Sequence, residues 1–358
     1  MQHGVPRSHG SRLRSDAARL KEIHAIEEYN ELDAKVQAAV TSKLDREALS
    51  LTSKLLKLNP EYYTVWNHRR RILEKLFQDA ELPAIEGLLG ADLQFLLPLL
   101  VQYPKCYWIW NFRLWILERC TGLLASSAAR MFWQQELDLV GKMLRRDNRN
   151  FHGWAYRRTV VEALRSLDSN TDSPSTEPKN SSLTSAEFSY TTTMIRGNLS
   201  NFSAWHYRSK LIPVLLDEGG ASEEERRQLF DTELALIQSA LFTDPYDQSL
   251  WFYHDFLMLN LLSIEDTGPA TPFVQFSSQD RQAYLKAELA QVKELLEDTD
   301  DCKWVYQFLL HYSVRHAALC NQDNVFTTMD LSDWLDRLRK LDPLRKGRWD
   351  DLEKTLKL

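Results

Sequence analysis

Glycine and proline are scarce in this chain, with 12 of each among 358 residues. Both residues interrupt helices, so their scarcity favours an α-helical protein. Cysteine is rarer still, and the chain contains only Cys106, Cys120, Cys302 and Cys320, with no CxxC pair. This usage gives neither a disulfide framework nor a zinc ligand set, and it predicts a reducing, cytoplasmic location.

A surplus of basic residues and long apolar segments are also lacking. The formal net charge is −6, which argues against a nucleic-acid-binding protein. No run approaches the roughly 18 apolar residues of a membrane span, and the N-terminus lacks the apolar core of a signal peptide. The sequence therefore predicts no membrane span and no nucleic-acid partner.

Familiar catalytic motifs are missing as well. The chain contains no GxSxG, HExxH, GxGxxG or phosphate-binding loop, and its nine histidines do not cluster at metal-ligand spacing. We therefore expect no metal site in this chain and no complete set of catalytic residues.

What the chain does contain is a repeat. Segments such as Arg149-Asn150-Phe151-His152-Gly153-Trp154 recur five times, each centred on a tryptophan, and the tryptophan separations are 44, 44, 51 and 46 residues. A period of this length is typical of a solenoid of helical hairpins, longer than the tetratricopeptide period of about 34 residues. The five tryptophans are Trp66, Trp110, Trp154, Trp205 and Trp251.

Each repeat reads as two helices. An amphipathic run, such as Leu234, Ile237 and Leu241, precedes each motif, and an Asn-Pro or Asp-Pro pair ends the first helix in two of the copies. The second helix carries the tryptophan and, three residues later in four copies, an arginine on the same face. We expect both residues to be structural, with the guanidinium bonded to carbonyls of neighbouring turns.

The predicted organisation is all-α. Residues 1–15 are a flexible tail, and residues 16–358 form a single helical-repeat domain with a degenerate sixth repeat near Trp304. The polar, proline-containing segment 167–182 lengthens the third interval and reads as a surface insertion.

The turn before each tryptophan varies in chemistry. Five residues before the tryptophan stand Glu61, Lys105, Arg149, Ser200 and Tyr246 in successive repeats. In a solenoid these turns line up along one edge, so Lys105 and Arg149 form a local positive site on an acidic protein. Such a site suits a phosphate or diphosphate group, and the alternative is an ordinary solvated lysine.

The motif P-x-N-(Y/F)-x-x-W-x-x-R at this period resembles the α subunits of protein prenyltransferases. Within that family it is most similar to the Rab geranylgeranyltransferase type. The similarity covers about residues 20–260 and rests on the repeats around Trp154, Trp205 and Trp251. The resemblance implies a right-handed superhelix, a crescent of helical hairpins around a β subunit that holds zinc, the lipid and most of the active site.

The resemblance also implies roles for particular residues. Lys105 matches the lysine that reaches the isoprenoid diphosphate, Tyr107 an aromatic beside it, and Asn150 and His152 residues near the shared cleft. Phe151 stands where the farnesyltransferase type has tyrosine. We therefore predict Lys105, Tyr107 and His152 as catalytic residues. The predicted subunit interface comprises Arg149, Asn150, Phe151, Asn201, Phe202, His206, Asp247, Gln248 and Tyr253.

The implied reaction transfers geranylgeranyl from geranylgeranyl diphosphate to C-terminal cysteines of Rab GTPases, which a Rab escort protein presents. His3, in an early His-Gly pair, is a candidate to reach the partner's zinc, and an idle tail is the alternative. Two other functions stay open. One is the α subunit shared by farnesyltransferase and geranylgeranyltransferase type I, and the other is a non-catalytic helical-repeat scaffold.

Overall fold

The computed structural model describes residues 16–169, 179–263, 273–320, 325–356 and 358, and within these ranges it contains helices and no strand. The helices form two compact units, residues 1–167 and residues 168–358. The sequence predicts one repeat domain, and the division between the units falls at the start of the polar 167–182 segment. The all-α class and the helical hairpins are confirmed.

In the described part of the first unit there are seven helices. They are α1 (Asp16–Ser42), α2 (Arg46–Leu58), α3 (Tyr63–Gln78), α4 (Leu82–Gln102), α5 (Tyr107–Leu123), α6 (Ser126–Arg146) and α7 (Phe151–Ser169), whose last two residues pass the boundary. Successive helices pair as hairpins: α2 packs against α3, α4 against α5, and α3 also contacts α5 of the next hairpin.

The second unit continues the pattern. Its helices are α8 (Lys179–Gly197), α9 (Phe202–Glu218), α10 (Glu223–Thr243), α11 (Gln248–Leu262), α12 (Ser278–Glu294), α13 (Lys303–Leu319), α14 (Thr328–Leu341) and α15 (Lys346–Leu356), with short 3₁₀ turns at Leu295–Glu297 and Pro343–Arg345. Helices α8 and α9, α10 and α11, and α12 and α13 form hairpins, and α9 contacts α11.

Local sequence signals account for these helices. The predicted face of α10 is buried at Leu234, Ile237 and Leu241. Ser222 begins α10 with a capping box, in which its hydroxyl accepts from the Glu225 amide while Glu225 accepts from the Ser222 amide. The turn before it contains Gly220 at φ +60°, a conformation that glycine adopts without strain.

The repeat tryptophans share one hydrogen bond. Each indole Nε1 donates to the backbone carbonyl six residues earlier, at the turn that ends the first helix of the hairpin. The donor–acceptor distances are 2.8 Å (Trp66 to Pro60), 2.9 Å (Trp110 to Pro104), 2.9 Å (Trp154 to Asn148), 2.8 Å (Trp205 to Leu199) and 2.7 Å (Trp251 to Pro245). The tryptophan thus fills the hairpin core and holds the turn closed.

The repeat arginines make a contact that the sequence analysis did not foresee. Their main partners are buried carboxylates on the first helix of the following hairpin. Arg69 on α3 donates to Asp92 on α4 at 2.8 and 2.6 Å, and Arg208 on α9 donates to Glu233 on α10 at 2.7 and 2.6 Å. Arg113 on α5 pairs in the same way with Glu136 on α6, and carbonyls such as Leu93 O are secondary acceptors.

The sixth repeat has a different centre from the predicted one. Tyr306 occupies the tryptophan position, because its hydroxyl donates to Asp300 O, six residues earlier, at 2.7 Å. Trp304 lies two residues before it and is only half-buried. The sixth repeat is therefore degenerate as predicted, but a phenol replaces the indole.

Helix α4 corrects one sequence expectation. It is long and apolar enough to cross a membrane by length and composition, with a mean hydropathy of 1.6 over 18 residues. Part of its apolar surface is packed inside the first unit: Ile85, Leu89, Leu96 and Leu100 are buried, and so is the paired carboxylate of Asp92, while Leu82 and Val101 are exposed. Packing against α5 and α3 accounts for this composition.

Two sequence predictions fall largely outside the described residues. The N-terminal tail, with His3, precedes residue 16. Of the predicted insertion, residues 170–178 are outside the described ranges, while 167–169 belong to α7 and 179–182 to α8.

The buried ion pairs predict a large effect on stability. Replacing Glu233 with alanine leaves Arg208 buried without its carboxylate, which we expect to lower the free energy of unfolding by about 3–5 kcal/mol. Glu224 on the same helix is exposed, so Glu224→Ala is the matched control. Urea denaturation followed by circular dichroism measures both variants. A Glu233→Ala loss no larger than that of the control would contradict the inferred role of the pair.

The assignment of Tyr306 predicts a smaller effect. Tyr306→Phe removes only the hydroxyl that bonds Asp300 O, and we expect a loss of about 1 kcal/mol. Tyr306→Trp should recover part of that loss, because an indole makes the same bond in the other five repeats. The same denaturation assay checks both variants, and a Tyr306→Phe chain as stable as the parent would argue against the assignment.

Candidate functional site

Lys105 lies in the turn between α4 and α5. Pro104 follows the end of α4, and α5 begins two residues after Lys105. The lysine side chain is 66% exposed, and its Nζ lies 4.0 Å from Asp147 Oδ2, the C-terminal cap of α6. The carboxylate is near enough to orient the ammonium but leaves it accessible, so Lys105 is available to an anionic ligand.

Tyr107 and His152 lie beside this lysine, on neighbouring hairpins of the first unit. Their rings are 5.9 Å apart in an edge-on arrangement, and Tyr107 is 57% exposed. Burial lowers the pKa of His152, Glu61 opposes this shift, and the Lys105 ammonium adds to it. His152 is therefore neutral at neutral pH and donates through one ring nitrogen. The structure thus brings the three predicted catalytic residues together.

Asn150 holds this cluster in place. Its side-chain amide donates to Pro104 O at 3.0 Å, the carbonyl that also accepts the Trp110 indole. Its Oδ1 accepts from the backbone amides of His152 and Gly153 at the start of α7. One buried side chain therefore joins the Lys105 turn to the turn that carries His152.

The neighbours of Asn150 face outward. Arg149 is exposed in the same turn, and Phe151 is 67% exposed while its ring stacks on His152 with centroids 4.0 Å apart. A phenylalanine here supplies an apolar contact and no hydroxyl, so Phe151 does not donate a hydrogen bond to a ligand.

The interface candidates of the second unit divide into two groups. Phe202, His206 and Gln248 have exposed side chains. Asn201 is buried and caps α9 by accepting from the Ala204 amide. Tyr253 is also buried and donates to Glu233 Oε2 at 2.5 Å.

Asp247 has both local and inter-hairpin contacts. It accepts from the Ser249 amide at the start of α11 and from the hydroxyl of Ser200 in the previous hairpin's turn. Among the predicted interface residues, Asn150, Asn201 and Tyr253 are thus committed to the interior of their own units. The accessible ones are Arg149, Phe151, Phe202, His206 and Gln248.

Exposed aromatic residues at one repeat position were only partly predicted. Tyr63, Tyr107, Phe151 and Phe202 occupy the same position, three residues before the tryptophan, and all are exposed. Tyr63 was not predicted as a site residue, although its repeat position marks it. Phe252 is also exposed and helps to line an apolar groove of about 330 Å³ between α9 and α11, with Phe202, His206, Lys210 and Phe256.

The residues that the structure describes include no group of three or more histidine, cysteine or acidic side chains placed to hold a metal ion. Burial raises the pKa of the Cys106 thiol to about 11 and that of Cys120 to about 12. Cys106 and Cys302 instead donate to Pro60 O and Pro245 O. The same two carbonyls accept the indole N–H groups of Trp66 and Trp251. These thiols are structural donors.

The sequence matches the family model described as the protein prenyltransferase alpha subunit repeat at residues 45–76, 89–120, 133–164, 184–214 and 230–261. Each matched segment contains one hairpin with its tryptophan. A search of solved structures finds Candida albicans protein geranylgeranyltransferase-I complexed with GGPP. It has a TM-score of 0.63 and 19% identity over 92% of this chain and 91% of that chain. At this identity the match shows a shared fold.

Curated relatives are more similar in sequence. The geranylgeranyl transferase type-2 subunit alpha of Saccharomyces cerevisiae is 33% identical, covering 97% of each chain. That of Schizosaccharomyces pombe is 34% identical, over 99% of this chain and 98% of the relative. The Mus musculus protein is 34% identical over 72% of this chain but only 41% of its own length. The chain therefore belongs to the family of geranylgeranyl transferase type-2 alpha subunits.

Proposed function

We propose that this chain pairs with a prenyltransferase β subunit in the cytoplasm to form a Rab geranylgeranyltransferase. The enzyme transfers geranylgeranyl from geranylgeranyl diphosphate to C-terminal cysteines of Rab GTPases presented by a Rab escort protein. Two fungal relatives that match nearly the full length of this chain are named geranylgeranyl transferase type-2 subunit alpha. The observation that carries the catalytic role is the cluster of Lys105, Tyr107 and His152 at accessible turns.

Lys105 is suited to the charge that develops during this reaction. The bond between the lipid carbon and the diphosphate oxygen breaks, and the leaving diphosphate gains negative charge. A cation at the end of a rigid turn stabilises that charge more in the transition state than in the bound substrate, and this difference raises turnover. Asp147, at 4.0 Å from Nζ, keeps the ammonium near this position without fully neutralising it.

His152 and Tyr107 complete the binding surface for the leaving group. Neutral His152 donates one hydrogen bond, and the exposed Tyr107 hydroxyl donates another. Two neutral donors beside one cation bind a diphosphate without requiring any proton transfer from this chain. Asn150 acts as a positioning residue, because it fixes the His152 helix against the Lys105 turn.

The remaining chemistry belongs to the partner and the substrate. The buried thiols of this chain are protonated at neutral pH, and its described acidic and histidine side chains do not converge. We place the zinc on the β subunit, where it would activate the substrate thiol. This division explains why the sequence carries a prenyltransferase signature without a catalytic motif of its own.

The first prediction concerns assembly. The exposed aromatic residues three positions before the repeat tryptophans are of the kind that buries well in a permanent complex, and we expect a heterodimer interface of more than about 2,000 Å². Co-expression with a type-2 β subunit and light scattering of the purified product measure it. The β subunit of farnesyltransferase is the control for specificity. A chain that remains monomeric with the type-2 β subunit would overturn the proposed function.

The second prediction concerns Lys105. We expect Lys105→Ala to lower the rate of single-turnover prenyl transfer by at least about tenfold, because removing one donor to a developing anion commonly costs about 10²–10³. Heterodimer formation and Rab binding should stay near normal. Arg149→Ala should have a smaller effect, because Arg149 is placed to serve the subunit interface.

Lys75 provides the matched control. It lies near the C-terminal end of α3, away from the turns that precede the tryptophans, and it pairs with Asp79 at 3.1 Å. Lys75→Ala should transfer at the parental rate. An unaltered rate in the Lys105→Ala heterodimer would remove Lys105 from the mechanism, and a scaffold without catalytic role predicts that result.

A further inference from the structure

Arg70 on α3 has side-chain partners unlike those of Arg69 and Arg119. It directly follows Arg69 but lies on a different face of α3. Its Nη1 donates to Asn67 Oδ1 at 3.0 Å, and its Nη2 donates to Asn111 Oδ1 on α5 at 2.6 Å. Two amides from adjacent hairpins thus hold one guanidinium in a fixed orientation.

Neither acceptor neutralises the charge. Arg69 has the carboxylate of Asp92 at 2.6 Å, and Arg119 has Glu74 at 3.3 Å. Within the described part of the chain, no carboxylate oxygen lies within 4.0 Å of Arg70, and Glu118 acts on its charge only from beyond that distance. Arg70 is partly desolvated, and its Nε is buried with no acceptor. A guanidinium has five N–H donors, so two on the terminal nitrogens are left to form a fork.

The surroundings of Arg70 are aromatic. Its guanidinium carbon lies 5.6 Å from the Phe112 ring centroid and 5.9 Å from that of Trp115. Tyr63, about two helical turns before Arg70, is exposed and packs against Trp108 with centroids 4.4 Å apart. Arginine, tryptophan and tyrosine grouped on one partly exposed face are the residues that dominate the energy of protein interfaces.

A fixed, unneutralised guanidinium on an aromatic surface is complementary to a carboxylate. Arginine binds carboxylates through two parallel hydrogen bonds, and the fixed orientation lowers the entropy lost on binding. The Asn67 and Asn111 amides supply that orientation while leaving the positive charge in place. A carboxylate at residue 67 or 111 would have satisfied Arg70 within the chain.

We propose that the face formed by Tyr63, Arg70, Trp108 and Trp115 docks an acidic side chain of the β subunit, with Arg70 as the anchor of the interface. The proposal rests on the proposed function, since it names a contact within that heterodimer. The occupant is an aspartate or glutamate whose carboxylate accepts from both terminal nitrogens of Arg70. Catalysis is not assigned to this face.

The test measures the affinity of the purified chain for the type-2 β subunit by surface plasmon resonance. Arg70→Met removes the fork, and we expect the dissociation constant to rise by about 30-fold or more, as for other paired charges at interfaces. Arg70→Lys keeps the charge but loses the fork, so its affinity for the β subunit should fall between that of the parent chain and that of Arg70→Met. Arg71→Met is the matched control, because it removes an identical charge from the next, exposed residue.

Three further readouts separate a docking role from a structural one. The melting temperature of each free chain should change little, and Arg70→Lys keeps the test valid if Arg70→Met folds poorly. Raising salt should weaken the parent complex more than the Arg70→Met complex. Equal affinities of the Arg70→Met and Arg71→Met chains would overturn the proposal while leaving the heterodimer intact. A parent chain that fails to bind β would instead refute the proposed function.

Discussion

The buried pair between a cation on one hairpin and a carboxylate on the next is the constraint on which the described hairpins depend. Arg69 with Asp92, Arg113 with Glu136, and Arg208 with Glu233 all join the second helix of one repeat to the first helix of the following repeat. A buried charge without its partner is strongly unfavourable, so each pair specifies which helix faces which. Hydrophobic packing alone would tolerate a wider range of arrangements.

The pair also explains the different character of the two sides of each second helix. The arginine side is buried against the next hairpin, and there Tyr156 and Tyr253 add hydroxyl donors to Glu136 and Glu233. Burial is the larger cause of the raised pKa of both phenols, and the neighbouring carboxylates raise that pKa further. The other sides carry the exposed aromatic residues and, on α3, the half-buried Arg70.

Much of this fold could be predicted from the sequence because five of the 11 tryptophans are regularly spaced within a shared motif. Each marks its own hairpin, and the helix ends follow from local proline and asparagine signals. The carboxylate partners could not be predicted, because Asp92 and Glu136 lie 23 residues after their arginines and Glu233 lies 25 after Arg208. In the sequence they resemble ordinary charges on helices.

The candidate site, like the fold, could be predicted only in part from the sequence. Lys105, Tyr107 and His152 were predicted from repeat positions and resemblance, and the structure brings them together. The sequence could not show that Asn150 and Tyr253 are buried, since polar residues next to exposed aromatics look accessible. The repeat position marks Arg69 as structural, but the sequence could not show that two amides, and no carboxylate, hold the neighbouring Arg70.

The last repeats show what happens when the constraint is relaxed. His254 replaces the arginine and bonds Glu288 Oε1 at 2.6 Å, with Gln238 donating to the other carboxylate oxygen. In the sixth repeat the arginine position is Leu309, which is buried, and no ion pair is possible there. The array then ends on helices α14 and α15, where Trp349 donates to Asp342 O seven residues earlier. The indole-to-turn bond thus recurs beyond the last repeat that has a buried pair between hairpins, so the tryptophan closes individual turns while the buried pair selects the neighbouring hairpin.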